Sequence, residues 1–141
     1  MSPRGHSRTA PCTPADARAR LRKAQSFVTD AELALELDDD PLLDLPGVAA
    51  ALAVLAGIAA ADAASCKALG QRARGQSHQE AVLLVGSVRP HGVQMARDLD
   101  RLLQKKDNAH YGVISTTGAE ASVMLAWAQR LVAQAGSVVA G

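Results

Sequence analysis

Apolar residues recur at intervals of three and four along most of this chain, the spacing of one helix face. Leu21, Ala24, Phe27, Val28, Ala31 and Leu35 form the first such stripe. Thr13 followed by Pro14 supplies an N-cap with proline at the first helical position, where its missing N–H leaves nothing unsatisfied. A helix is therefore predicted from about Pro14 to Leu37. It stops at Asp38-Asp39-Asp40-Pro41, because three carboxylates oppose the negative end of the helix dipole and proline cannot continue the ladder. A second helix starts at Asp44, has Pro46 near its first turn and ends at Gly70. Its Ala-rich run is apolar on almost every face, which marks a central helix. Ser77-His78-Gln79-Glu80 fits a capping box and opens a third helix with Val82, Leu83, Val85 and Val88, stopped by Pro90. A fourth begins near Gly92, carries Met95, Leu99, Leu102 and Leu103, and ends within the segment from Lys105 to Gly112. A second capping box, Thr117-Gly118-Ala119-Glu120, opens a fifth helix that packs through Val123, Met124, Trp127 and Leu131 and runs to about Ala135.

Short connections make these helices antiparallel neighbours, so the fold class is all-α: an up-and-down helical bundle of four to five helices. Composition agrees, since 48% of the 141 residues are hydrophobic but only 2% aromatic, and an Ala-, Leu- and Val-built core favours helices over sheets. The length suits one domain. Residues 1 to 12, with Pro3, Gly5 and Pro11, read as a disordered leader, 13 to 136 as the bundle, and 137 to 141 as a frayed tail.

Net charge is +1, but it is unevenly placed. Arg4, Arg8, Arg18, Arg20, Arg22 and Lys23 face only Asp16 in the first 25 residues, and the next stretch holds Asp30, Glu32, Glu36, Asp38, Asp39, Asp40 and Asp44 without a cation. Mutual screening accounts for such a pair of segments better than a nucleic-acid site does. Cys12 and Cys66 imply neither a disulfide framework nor a zinc site, and a reducing cytoplasm fits. The uncharged run from Val48 to Ala61 falls short of the roughly 20 residues that span a bilayer, so no membrane association is expected.

Candidate chemistry is confined to one segment. No phosphate-cradling glycine loop, metal-spaced Cys or His cluster, nucleophile elbow or cofactor motif is present, so no metal or cofactor is implied. Lys105-Lys106-Asp107-Asn108-Ala109-His110-Tyr111-Gly112 gathers two cations, a carboxylate, an amide, an imidazole and the chain's single tyrosine around a helix turn. Residues 106 and 110 share a helix face, as do 107 and 110 or 111, so Lys106, Asp107 and His110 can converge. Lysine charge attracts phosphate, and histidine titrates close enough to neutrality to move protons. The plainer reading is a solvated helix end, with lysines complementing the dipole and His110 bonded to a terminal carbonyl. Asp62, a charge within an apolar helix, requires a pair or a polar cavity, with Lys67 or the fourth-helix cluster as candidate partners. His78 reads mainly as lining a turn, Arg72 and Arg74 as a solvated loop, and Trp127 as packing.

The stretch from Gly57 to Gly70, Ser77-His78, and Asp98-Leu99 through Lys106-Asp107-Asn108-Ala109-His110-Tyr111-Gly112 together resemble the HEPN (higher eukaryote and prokaryote nucleotide-binding) superfamily. Its members commonly show a small-residue helix ending in Ala-Leu, a loop with Ser or Thr and His, and a Leu-rich helix ending in Arg-Asn-x-Ala-Asp/His-Tyr. The resemblance covers roughly residues 15 to 136. It implies a helical bundle, frequent dimerisation, and roles in toxin-antitoxin systems, nucleotide binding or RNA cleavage. Lys105 and His110 match the spacing of the arginine and histidine of catalytic members, with lysine forgoing bidentate phosphate recognition. Tyr111 directly after His110 is more like the non-catalytic branch that accompanies nucleotidyltransferases.

Two functions follow as expectations. The first is a HEPN-like binding module that forms a homodimer and recognises a nucleotide, RNA or a nucleotidyltransferase-type partner through Lys106, Asp107, Asn108, Tyr111 and Asp62. The second is a metal-independent endoribonuclease in which His110 is acid or base and Lys105 or Lys106 holds the phosphate. Whether the chain is an enzyme is open between them.

Overall fold

A computed structural model describes residues 9–74, 77–110 and 115–141, with the side chains of 107–110 outside that description. Five helices form the expected all-α bundle: α1 (Pro14–Glu36), α2 (Leu45–Leu69), α3 (His78–Gly86), α4 (Gly92–His110) and α5 (Gly118–Ala140). Their starts follow the capping chemistry. Thr13 and Asp16 form a reciprocal capping box at α1, as do Thr117 and Glu120 at α5. The Asp44 side chain accepts from the Gly47 N–H, and that of Ser77 from the Glu80 N–H. Gly70 ends α2 at φ 68°, a left-handed conformation that glycine adopts without a Cβ penalty.

The second helix is the hub. It packs most extensively against α1 and α5, and also against α4 and α3, while α3 lies on α4. Most of its inward positions are alanine, and Ala49, Ala50, Ala53, Ala56, Ala60, Ala63 and Ala64 are fully buried. Small side chains let neighbouring backbones approach, and Gly57 marks the tightest place. A Cβ there would come within 2.6 Å of Leu102 Cδ1 on α4. The larger core side chains come from the surrounding helices, with Met95, Leu99 and Leu102 from α4 and Leu131 from α5 completely enclosed. Both α2 and α5 are long and apolar enough to cross a membrane by length and composition; two thirds of the most apolar stretch of α2 is buried within the bundle.

Four expectations are corrected. Val88 lies past the end of α3, in the turn before α4, though it is fully buried as its hydrophobicity requires. Val123 is half exposed, so α5 packs through Met124, Leu125, Ala128 and Leu131 instead. That helix also continues five residues beyond Ala135 to Ala140, running through Gly136, because no proline follows and Val138 packs on the core. The fourth correction concerns the leader. Thr9–Pro11 forms a strand, β1, paired antiparallel with Gln71–Ala73, β2, in the register Thr9 to Ala73. The Cys12 N–H donates to the Gly70 carbonyl at 3.1 Å, and Cys12 is disulfide-bonded to Cys66, 54 positions away. The expectation that Cys12 and Cys66 imply no disulfide falls with it, because the two cysteines meet only through the pairing of two three-residue strands with α1 and α2 between them in the chain, which local alternation cannot reveal.

Candidate functional site

The lysine of the expected cluster that has a defined polar partner is Lys106. Its ammonium lies 2.7 Å from His78 Nε2, joining α4 to the first residue of α3. An ammonium has only protons to offer, so Nε2 accepts and the ring proton is placed on Nδ1. A depression of about 370 Å3 opens beside this pair, lined by His78, Gln79, Val82, Leu83, Asp100 and Leu103. Its lining mixes apolar Val82, Leu83 and Leu103 with polar His78, Gln79 and Asp100, and Asp100 also accepts from Gln104 at 2.8 Å. Imidazole, amide and carboxylate thus line one shallow cleft between α3 and α4, and the Lys106 ammonium meets it through His78.

Local sequence explains the placement. Ser77 caps α3, so His78 falls in the first turn, where it lines the cleft. Val85 on α3 is fully buried and Ala96 on α4 packs against the core, which seats the α3–α4 pair along its length.

The other expected residues distribute differently. Lys105 lies toward the start of α5: the Glu120 carboxyl is held below its ordinary range mainly by hydrogen bonds from Thr117, with Lys105 a smaller contributor. The two lysines therefore diverge, as adjacent positions on a helix must. Asp62 does not join Lys106. It is buried on α2, with Arg20 Nη1 of α1 at 3.9 Å and Arg72 of β2 also acting on it. Burial pushes its carboxyl up to about 6, against the pull of both arginines. Nor does Lys67 pair with Asp62, since its ammonium is held 3.3 Å from the carbonyls of Val139 and Gly141. The side chains of Asp107, Asn108 and His110, and Tyr111 altogether, lie outside the described residues.

Sequence reasoning missed one polar centre. Asp98 is fully buried and receives two bonds from Arg130 of α5, Nε to Oδ2 at 2.8 Å and Nη2 to Oδ1 at 2.6 Å. Gln94 donates to Oδ1 at 3.3 Å, and Arg101 approaches at 3.9 Å with its guanidinium 5.8 Å over the Trp127 ring. These bonds hold the Arg130 guanidinium even further above its ordinary range, the hydrogen bond with Asp98 first and its charge second. The signal was present: Asp98 stands between Met95 and Leu102 on the buried stripe, where a carboxylate demands a partner. Which cation answers it lies 32 residues away and is not a matter of local pattern.

No family model matches the chain, and no curated protein shows significant similarity to it.

Proposed function

We propose that this chain is a HEPN-like binding module that recognises the phosphate of a nucleotide or of RNA at the α3–α4 cleft. The observation that supports the reading most is the 2.7 Å contact between Lys106 and His78 beside a depression of nucleotide dimensions. The imidazole fixes the lysine side chain beside the cleft, so a positive charge stands where it attracts a phosphate. Apolar Val82, Leu83 and Leu103 offer a surface for the flat face of a base or a ribose edge.

Calorimetric titration with AMP, ATP and a short single-stranded RNA at low salt tests it. Binding should weaken by about tenfold in Lys106→Ala and less in Lys106→Arg, with affinity falling as salt rises. A wild-type protein that releases no heat with any of the three overturns the reading.

The endoribonuclease alternative draws on the same contact, because an imidazole and an ammonium at one point are a proton acceptor and a cation for a strained phosphate. In that reading Lys106 takes the phosphate, Lys105 lying toward Glu120, and His110 or His78 moves the proton. RNA cleavage in the presence of a chelator, abolished in His110→Ala or His78→Ala, supports it; equal inertness of wild type and variants removes it. The module is further proposed to act as a homodimer or beside a nucleotidyltransferase-type partner. Large apolar side chains exposed at the α1–α2 turn, Leu37, Leu42 and Leu43, support such an interface, and light scattering on the purified protein reads the oligomer directly.

A further inference from the structure

The far end of α2 holds chemistry that the α3–α4 cleft does not use. Cys66 is buried in the last turn and bonded to Cys12, which is partly exposed at the end of β1. Asp62 stands four residues before Cys66, one turn back on the same helix face, and both are buried. Thr13 presents its carbonyl oxygen 3.2 Å from Cys66 Sγ, an acceptor already in place for a thiol proton. Arg20 from α1 and Arg72 from β2 are the charged groups that face Asp62 from the neighbouring elements. A buried cysteine, a half-buried one nearer the surface and a carboxyl group of the interior are the parts of a thiol-exchange centre.

We propose that Cys12–Cys66 is a redox-exchange site for low-molecular-weight thiols, entered at Cys12, with Asp62 supplying the proton that the departing Cys66 sulfur takes up. An incoming thiolate attacks Cys12 Sγ; the disulfide bond breaks, and the electron pair leaves with Cys66 Sγ, which takes the Asp62 carboxyl proton and then donates to the Thr13 carbonyl. A second thiolate attacks the mixed disulfide on its outer sulfur, frees Cys12 as a thiolate that is protonated from water, and leaves as the small-molecule disulfide. Two thiols are oxidised and one protein disulfide is reduced; Asp62 regains its proton from solvent. The direction of attack follows from access, and the leaving sulfur is the one whose charge is neutralised where it forms. Reduction leaves β1 held to the bundle by its three-residue pairing with β2 and the Cys12 to Gly70 bond.

The test is incubation of the oxidised folded protein with reduced glutathione, acid quenching, and peptide mass spectrometry over time. The expected adduct is one glutathione on Cys12 and none on Cys66. The rate, normalised to glutathione thiolate, should fall in Asp62→Asn by about tenfold or more near pH 6 and be restored in large part by Asp62→Glu. Adducts on Cys66 first, or reaction only after the protein is unfolded in urea, overturn the proposal. Equal rates in wild type and Asp62→Asn overturn the role of Asp62.

Discussion

Asp62 and Asp98 are two buried carboxylates that the same chain treats in opposite ways. Both interrupt helices otherwise apolar at those positions, and both meet arginines from another element. Asp98 is gripped by a bidentate guanidinium and an amide, with all contacts between 2.6 and 3.3 Å. Asp62 has one arginine at 3.9 Å and another that acts through its charge alone. The difference lies in geometry, because planar Arg130 meets both oxygens of Asp98 while Arg20 brings one nitrogen to within 3.9 Å of one oxygen of Asp62. A gripped carboxylate ties α4 to α5. A loosely attended one becomes a proton reservoir, its carboxyl raised to about 6 by burial.

Breaking the strong side of this comparison should have the largest effect. In Arg130→Met the enclosed Asp98 keeps only Gln94 and the more distant Arg101, and a buried carboxylate stripped of its bidentate cation costs about 3 kcal/mol. Urea denaturation at pH 7 measures it. Asp98→Asn removes the buried charge as well and should lose distinctly less. Equal losses in the two variants, or none, would show that Arg130 is a surface ornament.

Sharpening the weak side gives a change of the opposite sign. The folded Asp62 carboxyl titrates near 6 and its ordinary value is 3.8, so between those pH values the native state holds a proton that the unfolded chain has released. Stability therefore falls as pH rises from about 4 to 6, and above 6 the penalty is constant. Two pH units correspond to about 2–3 kcal/mol. Asp62→Asn should raise stability by up to that amount at pH 7 and leave it unchanged at pH 4, read from melting curves across the range. A variant whose advantage is the same at both pH values would refute the assignment.

The contrast also explains how much the sequence disclosed. Helix boundaries were legible because caps are local: Thr13, Asp44, Ser77 and Thr117 each announce a start within three residues. The central place of α2 was legible from its unbroken apolar run. Long-range pairing was not, since neither Asp98 with Arg130 nor Cys12 with Cys66 leaves a trace in spacing. The site was half legible. Lys106 was singled out, but its partner is His78, 28 positions away and reached through the α3–α4 packing, whereas Asp62 was expected beside the lysines and instead faces α1 and β2.

The smallest effect isolates the weakest contact. Arg20 is 40% exposed and 3.9 Å from Asp62, so Arg20→Gln should alter stability at pH 7 by no more than about 0.5 kcal/mol. Its signature lies elsewhere. Arg20 pulls the Asp62 carboxyl down against the larger push of burial, and without it the carboxyl should titrate higher. Carbon-detected NMR of the side-chain carboxyl is expected to show the midpoint rising by about 0.3 of a pH unit, the size that keeps the stability change at pH 7 within about 0.5 kcal/mol. The pH interval over which the protein loses stability should then extend upward by the same amount, because the proton stays on the native state longer. An unmoved midpoint would mean that Arg72 and the surrounding helices alone set the proton affinity of Asp62, and that the contact with α1 is incidental.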